Sequence, residues 1–418
     1  MPEHRESDGR PFFSRVRVWD EDPDVASEGV YLEVTPSGDV LAFGHKLARA
    51  RMPGGADHGF PWLHLRARSR DGGRTWVTEE TKWWEPETRA YRSSVVDATT
   101  GEIFLFNQGT YPLQDDAGLP MSESWLIRHH ELALRRGGRL TMARSRDGGR
   151  NWDPVDVTDR FFTYPGAGLA WFIGTGIQLR RGRHAGRLLV PARYFTGSWQ
   201  EVDPDQHRIL YYHPALGQVY DDGEGQIAQV LDSEAHNAVI YSDDHGETWR
   251  WGGSSQGYVG EACIVELADG AVYMNNRNHD PRSLGYRSWC ISRDGGESFT
   301  EFGVDRTLIE GRCHAALTRY RASAQHGGGP ILFSNPASFE GVNQLHTRDI
   351  GSAARRDLTV RVSYDECRTW PVARRIDEDA GYSSLVVLDD GTILCGYGAW
   401  VCRFNLAWLE DPADGDEP

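Results

Sequence analysis

The chain has 418 residues and a formal net charge of −16, with 61 acidic against 45 basic side chains. Binding to nucleic acid or to an anionic membrane surface depends on clustered basic residues, so this composition argues against both kinds of partner. The sequence contains no run of 18 apolar residues, and it therefore predicts no membrane-spanning helix.

The two ends of the chain are polar. The start, MPEHRESDGRPFF, lacks the apolar core of a secretory signal, which predicts a cytoplasmic protein or a mature form whose leader has been removed. Residues 1–20 are predicted to be a loose N-terminal segment, and the acidic residues 408–418 a loose C-terminal tail. No linker-like stretch divides residues 21–407, so they are predicted to form a single domain.

Short apolar or alternating runs, bounded by Gly, Asp or Pro, predict β-strands throughout this domain. In chain order these runs are Val30–Val34, Val40–Phe43, Ile103–Phe106, Leu188–Val190, Val272–Asn275, Ile331–Phe333, Leu358–Val362 and Leu385–Leu388. Turn sequences such as Pro36-Ser37-Gly38-Asp39 separate neighbouring runs and indicate hairpins. The chain is therefore predicted to be all-β.

One eight-residue motif, Ser-Arg-Asp-Gly-Gly-Arg-Thr-Trp at Ser69–Trp76, recurs along the chain. Its further copies are Ser145–Trp152, Ser242–Trp249 and the weaker Ser292–Phe299 and Ser363–Trp370. In each copy the Asp carboxylate can accept hydrogen bonds from turn amides, and the aromatic side chain can pack into an apolar layer. Five copies indicate a repeated sheet unit rather than chance recurrence of turn chemistry.

The cysteine and histidine patterns predict no metal site. The six cysteines include no Cys-x-x-Cys pair, and several lie in apolar runs, so they are predicted to be reduced and mostly buried thiols. The one tight histidine pair, His129-His130, lies in a polar stretch without further ligands nearby. The sequence accordingly predicts no metal and no other cofactor.

The repeated motifs resemble the Asp-boxes (BNR repeats) of the sialidase (neuraminidase) superfamily, where they lie at blade hairpins of a six-bladed β-propeller. The resemblance implies this fold for the chain, with roughly 70 residues in each of six blades. In that family the boxes are structural and lie away from the catalytic face, and binding proteins carry them too. Function therefore has to be argued from other residues.

Three further stretches resemble the catalytic segments of bacterial sialidases. The resemblance implies that Asp57, in a glycine-rich loop before the first Asp-box, is the general acid/base. It implies that Tyr382 is the nucleophile and that Glu261 is the base that accepts the tyrosine's proton. A phenol attacks poorly unless a carboxylate shares its proton, and sialidases are the tyrosine exception among glycosidases. The alternatives are an Asx-turn residue, a buried strand tyrosine and a capped strand end.

Two arginines match the family's grip on the substrate carboxylate. Arg277 follows the Glu261 stretch by one strand, and Arg355, with Arg356 as second choice, precedes the predicted strand at Leu358. A guanidinium can bind a carboxylate through two parallel, charge-assisted hydrogen bonds. The alternatives are a structural ion pair for Arg277 and an exposed edge charge for Arg355.

Two linked positions depart from the family pattern. Glu28 occupies the place of the family's first arginine, and Gly398 occupies the place of the glutamate that braces that arginine. Losing both partners is physically coherent, because a brace without its arginine would be an unpaired charge. Glu28 could accept sugar hydroxyls or pair with an arginine, and Arg51 or Arg49 could replace the missing cation.

The sequence thus predicts a retaining, exo-acting glycoside hydrolase that releases a terminal sialic acid or a related acidic sugar from a carbohydrate. The alternatives are a propeller enzyme acting on a different terminal sugar, including a lyase or intramolecular transferase, and a catalytically disabled sugar-binding propeller. The sugar, its linkage and the oligomeric state stay open.

The paired departures at positions 28 and 398 generate a test. We expect Glu28→Arg alone not to restore cleavage of an ordinary aryl sialoside, because the new arginine lacks its carboxylate brace. Restoration is expected to need Gly398→Glu as well. Release of the aryl group measures both variants, and restoration by the single substitution would show that the brace argument is wrong.

Overall fold

The alternating apolar runs of the sequence form strands that assemble into blades around a central axis. The computed structural model describes residues 9–20, 25–48, 62–83, 91–107, 140–161, 164, 170–195, 198–203, 208–213, 218–220, 235–280, 283–311, 313–321, 329–338 and 355–411. Within these residues the strands form six blades arranged in a ring. The predicted all-β, six-bladed β-propeller is confirmed.

Twenty-nine strands are described, numbered in chain order from β1 (Phe13–Arg17). Blade 1 contains β2 (Val25–Val34), β3 (Val40–Ala48), β4 (Trp62–Ser69) and β5 (Val77–Trp83). Blade 2 contains β6 (Tyr91–Val96), β7 (Ile103–Asn107), β8 (Thr141–Ser145) and β9 (Asp153–Asp156). The short strand β11 (Gly174–Thr175) pairs with β6 and adds to this sheet. Blade 3 begins with β10 (Ala170–Phe172). Blade 3 also contains β12 (Ile177–Gln178), β13 (Leu188–Phe195), β17 (Ala235–Ser242) and β18 (Arg250–Gly257). A separate sheet of β14 (Ser198–Asp203), β15 (Arg208–His213) and β16 (Gln218–Tyr220) is inserted in blade 3.

The remaining three blades follow the same order. Blade 4 contains β19 (Val259–Glu266), β20 (Val272–Asn278), β21 (Tyr286–Ser292) and β22 (Glu301–Ile309). Blade 5 contains β23 (Ala316–Arg319), β24 (Ile331–Pro336), β25 (Arg356–Ser363) and β26 (Val372–Asp379). Blade 6 contains β27 (Ser383–Val387), β28 (Ile393–Tyr397), β29 (Trp400–Phe404) and β1.

Helices are short in the part of the chain that the structure describes. They are α1 (Thr158–Phe161), α2 (Leu406–Glu410) and the 3-10 turn Gly182–His184. Among the described residues no helix has the length and apolar character needed to cross a membrane.

The first strands of the blades line the centre of the ring. Contacts run from β2 to β6, from β6 to β11, and onward through β19, β23 and β27 back to β2. These contacts close a circle, so residues on the first strands of different blades can meet at the hub. The strand β19 is buried along its whole length, as expected for a strand enclosed on both faces.

The N-terminal prediction was wrong for part of the segment. Residues Phe13–Arg17 form β1, which pairs antiparallel with β29 and completes blade 6. The side chains of Val18 and Trp19 are buried in the apolar core that blades 6 and 1 share. Apolar residues recur from Phe13 to Trp19, a pattern that is typical of a strand. The partner strand lies at the other end of the chain, so the pairing leaves no local pattern.

The C-terminal prediction also needs correction. The domain continues to at least Glu410 as α2, whose Asn405 side chain caps the helix by accepting a hydrogen bond from Trp408 N at 2.9 Å. Leu409 is buried, so residues 408–410 belong to the packed domain. Residues 412–418 lie outside the described part of the structure.

The Asp-box motif folds as the sequence chemistry predicts. In the first copy, Asp71 Oδ1 accepts hydrogen bonds from Ser69 Oγ at 2.8 Å and from Thr75 N at 2.9 Å. Gly73 N donates to Ser69 Oγ at 2.8 Å, and the Trp76 ring nitrogen donates to Gly73 O at 3.2 Å. The equivalent Ser-to-Asp and amide-to-Asp bonds recur in the other four copies. Each motif is therefore a self-contained clasp for one hairpin.

Cys367 shows how strongly the motif imposes its backbone. It replaces the second glycine of the fifth copy and still adopts a left-handed conformation, with φ of 65°. Such a backbone costs a residue with a side chain roughly 1–2 kcal/mol. All six cysteines are free and buried, as predicted.

Glu33 is a buried carboxyl between blades 1 and 2. Its side chain accepts a hydrogen bond from Ser94 Oγ at 2.6 Å, and the residue is 6% exposed. Burial raises the pKa of Glu33 from its ordinary 4.5 to about 7, although Ser94 and the Val34 backbone act in the opposite direction. The pKa of Glu33 is higher in the folded state than in the unfolded chain. The protonated carboxyl therefore contributes to the free energy of unfolding below pH 4.5, and this contribution is lost as the pH rises through 7.

We expect the free energy of unfolding of Glu33→Gln at pH 8 to exceed that of the wild type by about 2–3 kcal/mol, because the amide avoids the buried charge. The amide oxygen can still accept the Ser94 bond. Near pH 4 the two proteins should have similar free energies of unfolding. Urea unfolding at both pH values measures this difference, with Glu301→Gln, whose side chain is 43% exposed, as control. No gain at pH 8 would contradict the prediction.

Candidate active site

Four of the predicted site residues lie at the same end of the ring. Glu261 is the third residue of β19, and Arg277 is the last but one of β20. Arg355 immediately precedes β25, and Tyr382 immediately precedes β27. Since strand direction alternates within an antiparallel blade, the starts of first and third strands and the ends of second strands share one face.

Glu261, Tyr382 and Arg277 form one hydrogen-bonded cluster. The Tyr382 hydroxyl donates a short hydrogen bond to Glu261 Oε1. Arg277 Nη1 donates to Glu261 Oε2 at 2.9 Å and to the Tyr382 hydroxyl oxygen at 3.1 Å. Glu261 is 6% exposed, so this is a nearly buried carboxylate whose two oxygens both have donors.

The charges around Glu261 keep it ionised. Burial alone would raise its pKa, but the positive charge of Arg277, then His314, and the hydrogen bonds from Tyr382 and Arg277 hold the pKa of Glu261 below its ordinary value. A buried carboxylate stays charged only when paired in this way.

The proton of the pair rests on the tyrosine. Burial, followed by the charge of Glu261, raises the pKa of Tyr382 above its ordinary value, and Arg277 and Arg355 oppose the shift. The resting site is thus a neutral phenol that is hydrogen-bonded to an ionised acceptor, the arrangement in which a phenol can transfer its proton as it attacks.

Arg277 has donor capacity beyond this cluster. Its contact with Glu261 is the ion pair that sequence analysis named as the alternative role. A guanidinium carries five N–H groups, and the bonds given above use only Nη1. Among the described residues, the buried Nε of Arg277 has no hydrogen-bond partner. The cluster with Glu261 and Tyr382 therefore does not use every N–H group of Arg277.

Arg355 adds a second cation beside the phenol. Its guanidinium carbon lies 5.2 Å from the centre of the Tyr382 ring, within cation–π distance. Arg355 is partly buried whereas Arg356 is exposed, which favours Arg355 over Arg356 as the residue at the site. The structure therefore brings together two of the predicted binding arginines and two of the predicted catalytic residues.

Sequence reasoning missed His314 as a neighbour of the site. Its ring is 3% exposed and lies 5.8 Å from the Tyr382 ring and 6.2 Å from the Tyr31 ring, centre to centre. The stretch Cys313–Leu317 is interpreted from the sequence as a blade core or loop end, and no role in the site is assigned to its histidine. The available signal was a histidine inside an otherwise apolar run from Cys313 to Leu317, a pattern that also fits an ordinary buried histidine.

The two departures from the family pattern lie beside this cluster. Glu28 belongs to β2, with its backbone opposite His45, and its side chain is outside the described part of the structure. The next residue, Gly29, is so close that a Cβ there would lie 3.4 Å from Tyr382 Cβ. Gly398 has φ of 53° and open space around it, so a glutamate would fit sterically but would adopt a strained backbone.

Two further predicted residues, Asp57 and Arg51, lie outside the described residues. Their roles as general acid/base and replacement cation stay predictions from the resemblance.

Comparison with known proteins finds relatives across most of the chain. Residues 184–395 match the family described as BNR repeat-like domain. The sialidase of Micromonospora viridifaciens is 32% identical over 90% of this chain and 51% of its own length. The sialidase of Bacteroides fragilis is 24% identical over 82% of this chain and 56% of its own length. The chain thus spans about half the length of these curated relatives.

A solved structure supports the fold. The Hadza microbial sialidase Hz136 matches with a TM-score of 0.65 and 23% identity, over 91% of this chain and 65% of that one. At this identity the likeness concerns the arrangement of the blades.

We expect Glu261→Gln to lower the free energy of unfolding at pH 7 by about 3 kcal/mol, because Arg277 loses the charge that compensates its burial. The pKa of Glu261 is lowered in the folded state. The ionised carboxylate therefore contributes to the free energy of unfolding above its ordinary pKa, and this contribution is lost progressively as the pH falls below that value. The difference between variant and wild type should therefore narrow at pH 3.5.

Urea unfolding at both pH values measures this difference. Glu247→Gln is the matched control, because Glu247 pairs with Arg144 at an exposed position, where ion pairs contribute about 1 kcal/mol or less. A loss no larger than that of the control would contradict the analysis.

Proposed function

Since this chain is a member of the sialidase superfamily with BNR repeats, we propose that it is a retaining, exo-acting glycoside hydrolase. Its proposed substrate is a glycan or small glycoside that ends in sialic acid or a related acidic sugar. The observation that supports this most directly is the hydrogen bond from the Tyr382 hydroxyl to Glu261 at the hub, with Arg277 contacting both.

In the proposed first step, the Tyr382 oxygen attacks the anomeric carbon while its proton moves to Glu261. The bond to the glycosidic oxygen breaks, and that oxygen leaves with a proton from Asp57, the residue implied by the resemblance. In the second step water adds to the anomeric carbon, and its proton goes to Asp57. The Tyr382 oxygen is released and recovers its proton from Glu261, so the site returns to its starting state.

A tyrosine suits an acidic substrate. A carboxylate nucleophile would be repelled by the carboxylate at the anomeric centre, whereas the Tyr382 phenol approaches without a full negative charge. Arg277, which contacts the Tyr382 hydroxyl, and Arg355, which lies over the Tyr382 ring, are proposed to hold the substrate's acidic group through charge-assisted hydrogen bonds.

Substrate binding is also proposed to activate Glu261. Without a bound anion, the charge of Arg277 keeps the pKa of Glu261 low, which makes the carboxylate a weak base. An anion bound to Arg277 and Arg355 offsets part of their positive potential at Glu261. Glu261 then accepts the phenolic proton more readily, and it does so only when an acidic sugar is present.

The substitution at position 28 argues for a modified acidic sugar. Each charge-assisted hydrogen bond lost with the family's first arginine weakens the grip by roughly 1.5–3 kcal/mol. Glu28, at the place of that arginine in the family pattern, is proposed to accept hydroxyl groups of the sugar. A panel of aryl glycosides of sialic acid and of related acidic sugars identifies the preferred group.

We expect Tyr382→Phe to reduce turnover of the best aryl glycoside by at least about a hundredfold, because the nucleophilic oxygen is removed. Tyr320→Phe is the matched control, since the Tyr320 hydroxyl bonds to Gly391 O in another part of the ring, and it should retain wild-type turnover. Release of the aryl group measures both. Saturable binding of the sugar without turnover, unchanged in Tyr382→Phe, would contradict hydrolysis and favour a sugar-binding protein.

A further inference from the structure

A buried ion pair lies behind the candidate active site. Arg287, on β21, donates from Nη1 to Glu310 Oε2 at 2.9 Å, and their side chains are 0% and 2% exposed. Glu310 directly follows β22, and the described residues 310–311 and 313–315 lie between β22 of blade 4 and β23 of blade 5. We call this segment the crossover, and it carries His314.

Glu310 ties the crossover to the strand that carries Arg277. Its Oε2 accepts a hydrogen bond from Asn278 N at 2.8 Å, and its Oε1 accepts one from Cys313 N at 3.3 Å. Asn278 is the residue after Arg277, and Cys313 is the residue before His314. One carboxylate therefore holds the backbone next to two side chains of the site.

Arg287 ties the same two segments together. Its Nε donates to Asn275 Oδ1 at 2.5 Å, and its Nη1 also donates to Cys313 O at 3.1 Å. Asn275 lies two residues before Arg277 on β20. The ion pair thus contacts the chain on both sides of Arg277 and both backbone groups of Cys313.

The Arg287–Glu310 ion pair is not explained by stability alone. Two well-packed apolar side chains in the place of a buried ion pair are often as stabilising, because they avoid the cost of removing charge from water. Apolar contacts, however, are not directional, whereas a guanidinium and a carboxylate impose distances and angles. The five hydrogen bonds described above therefore indicate that the pair fixes the position of the surrounding backbone more than it contributes to the free energy of unfolding.

We propose that Arg287 and Glu310 are positioning residues that set the placement of Arg277 relative to Tyr382. They hold the end of β20, and they hold the crossover on which His314 packs against the Tyr382 ring. The inference rests on the proposed function, because it assigns to Arg277 the substrate's acidic group and to Tyr382 the attack. Displacing the guanidinium that holds the substrate's acidic group weakens substrate binding, because charge-assisted hydrogen bonds depend on distance and angle.

The test is the double variant Arg287→Met/Glu310→Gln. It removes both charges together, so no buried charge is left unpaired. The single amide oxygen of Gln can keep the bond from Asn278 N, while the bond from Cys313 N to the second carboxylate oxygen is lost. We expect the melting temperature to change by less than about 4 °C. We expect KM for the best acidic aryl glycoside to rise by about tenfold or more, with kcat changed by less than about threefold.

Two further variants separate positioning from charge and from general stability. Arg287→Lys keeps the positive charge but loses the fork that reaches Asn275 and Cys313 O, and we expect KM to stay raised. Arg68→Met/Glu79→Gln repeats the same substitutions at another buried arginine, paired with Glu79 at 2.5 Å in blade 1, and it should leave KM unchanged. Wild-type KM in Arg287→Lys would overturn the positioning role.

A crystal structure of the double variant gives a readout that needs no substrate. The separation of Arg277 Nη1 from the Tyr382 oxygen, 3.1 Å in the wild type, is expected to change by more than about 0.5 Å. Wild-type KM and an unchanged separation in a stable variant would overturn the inference, and so would a large fall in melting temperature without these changes. If the wild type shows no turnover, the proposed function fails, and the measured separation alone decides the positioning role.

Discussion

The site depends on one constraint, which is that a carboxylate buried at the hub of the ring has to be compensated. Glu261 lies in a strand that is buried along its whole length, and removing its charge from water is tolerated only because both oxygens have donors. Arg277 supplies charge and Tyr382 supplies a hydroxyl hydrogen bond. The contacts that compensate the carboxylate are also the contacts that the proposed reaction uses, so folding and the proposed chemistry depend on the same residues.

The ring explains how residues far apart in sequence reach this point. Each antiparallel blade presents the start of its first strand and the end of its second strand on one face. Blades 4 and 6 deliver Glu261 and Tyr382 through their first strands, while Arg277 arrives on a second strand. The Asp-box clasps hold the hairpins at the opposite ends of third strands, where even Cys367 keeps the backbone conformation and the hydrogen bond to Ser363 Oγ that the motif requires.

Residues that do not face the site hold its arginine Arg277 in place. Arg277 is paired with Glu261, and its neighbours on β20 are bonded to the buried Arg287–Glu310 pair.

By itself the sequence determined the blades and their clasps, because an Asp-box is stabilised within a few residues of itself, as in the bonds from Ser69 and Thr75 to Asp71. Resemblance also identified Glu261, Arg277, Arg355 and Tyr382, one motif at a time. Only the tertiary structure decided that Glu261 and Tyr382, 121 residues apart, share a hydrogen bond, that β1 pairs with β29, and that His314 and the Arg287–Glu310 pair lie behind the site. These contacts arise from closure of the ring, and closure leaves no local pattern in the chain.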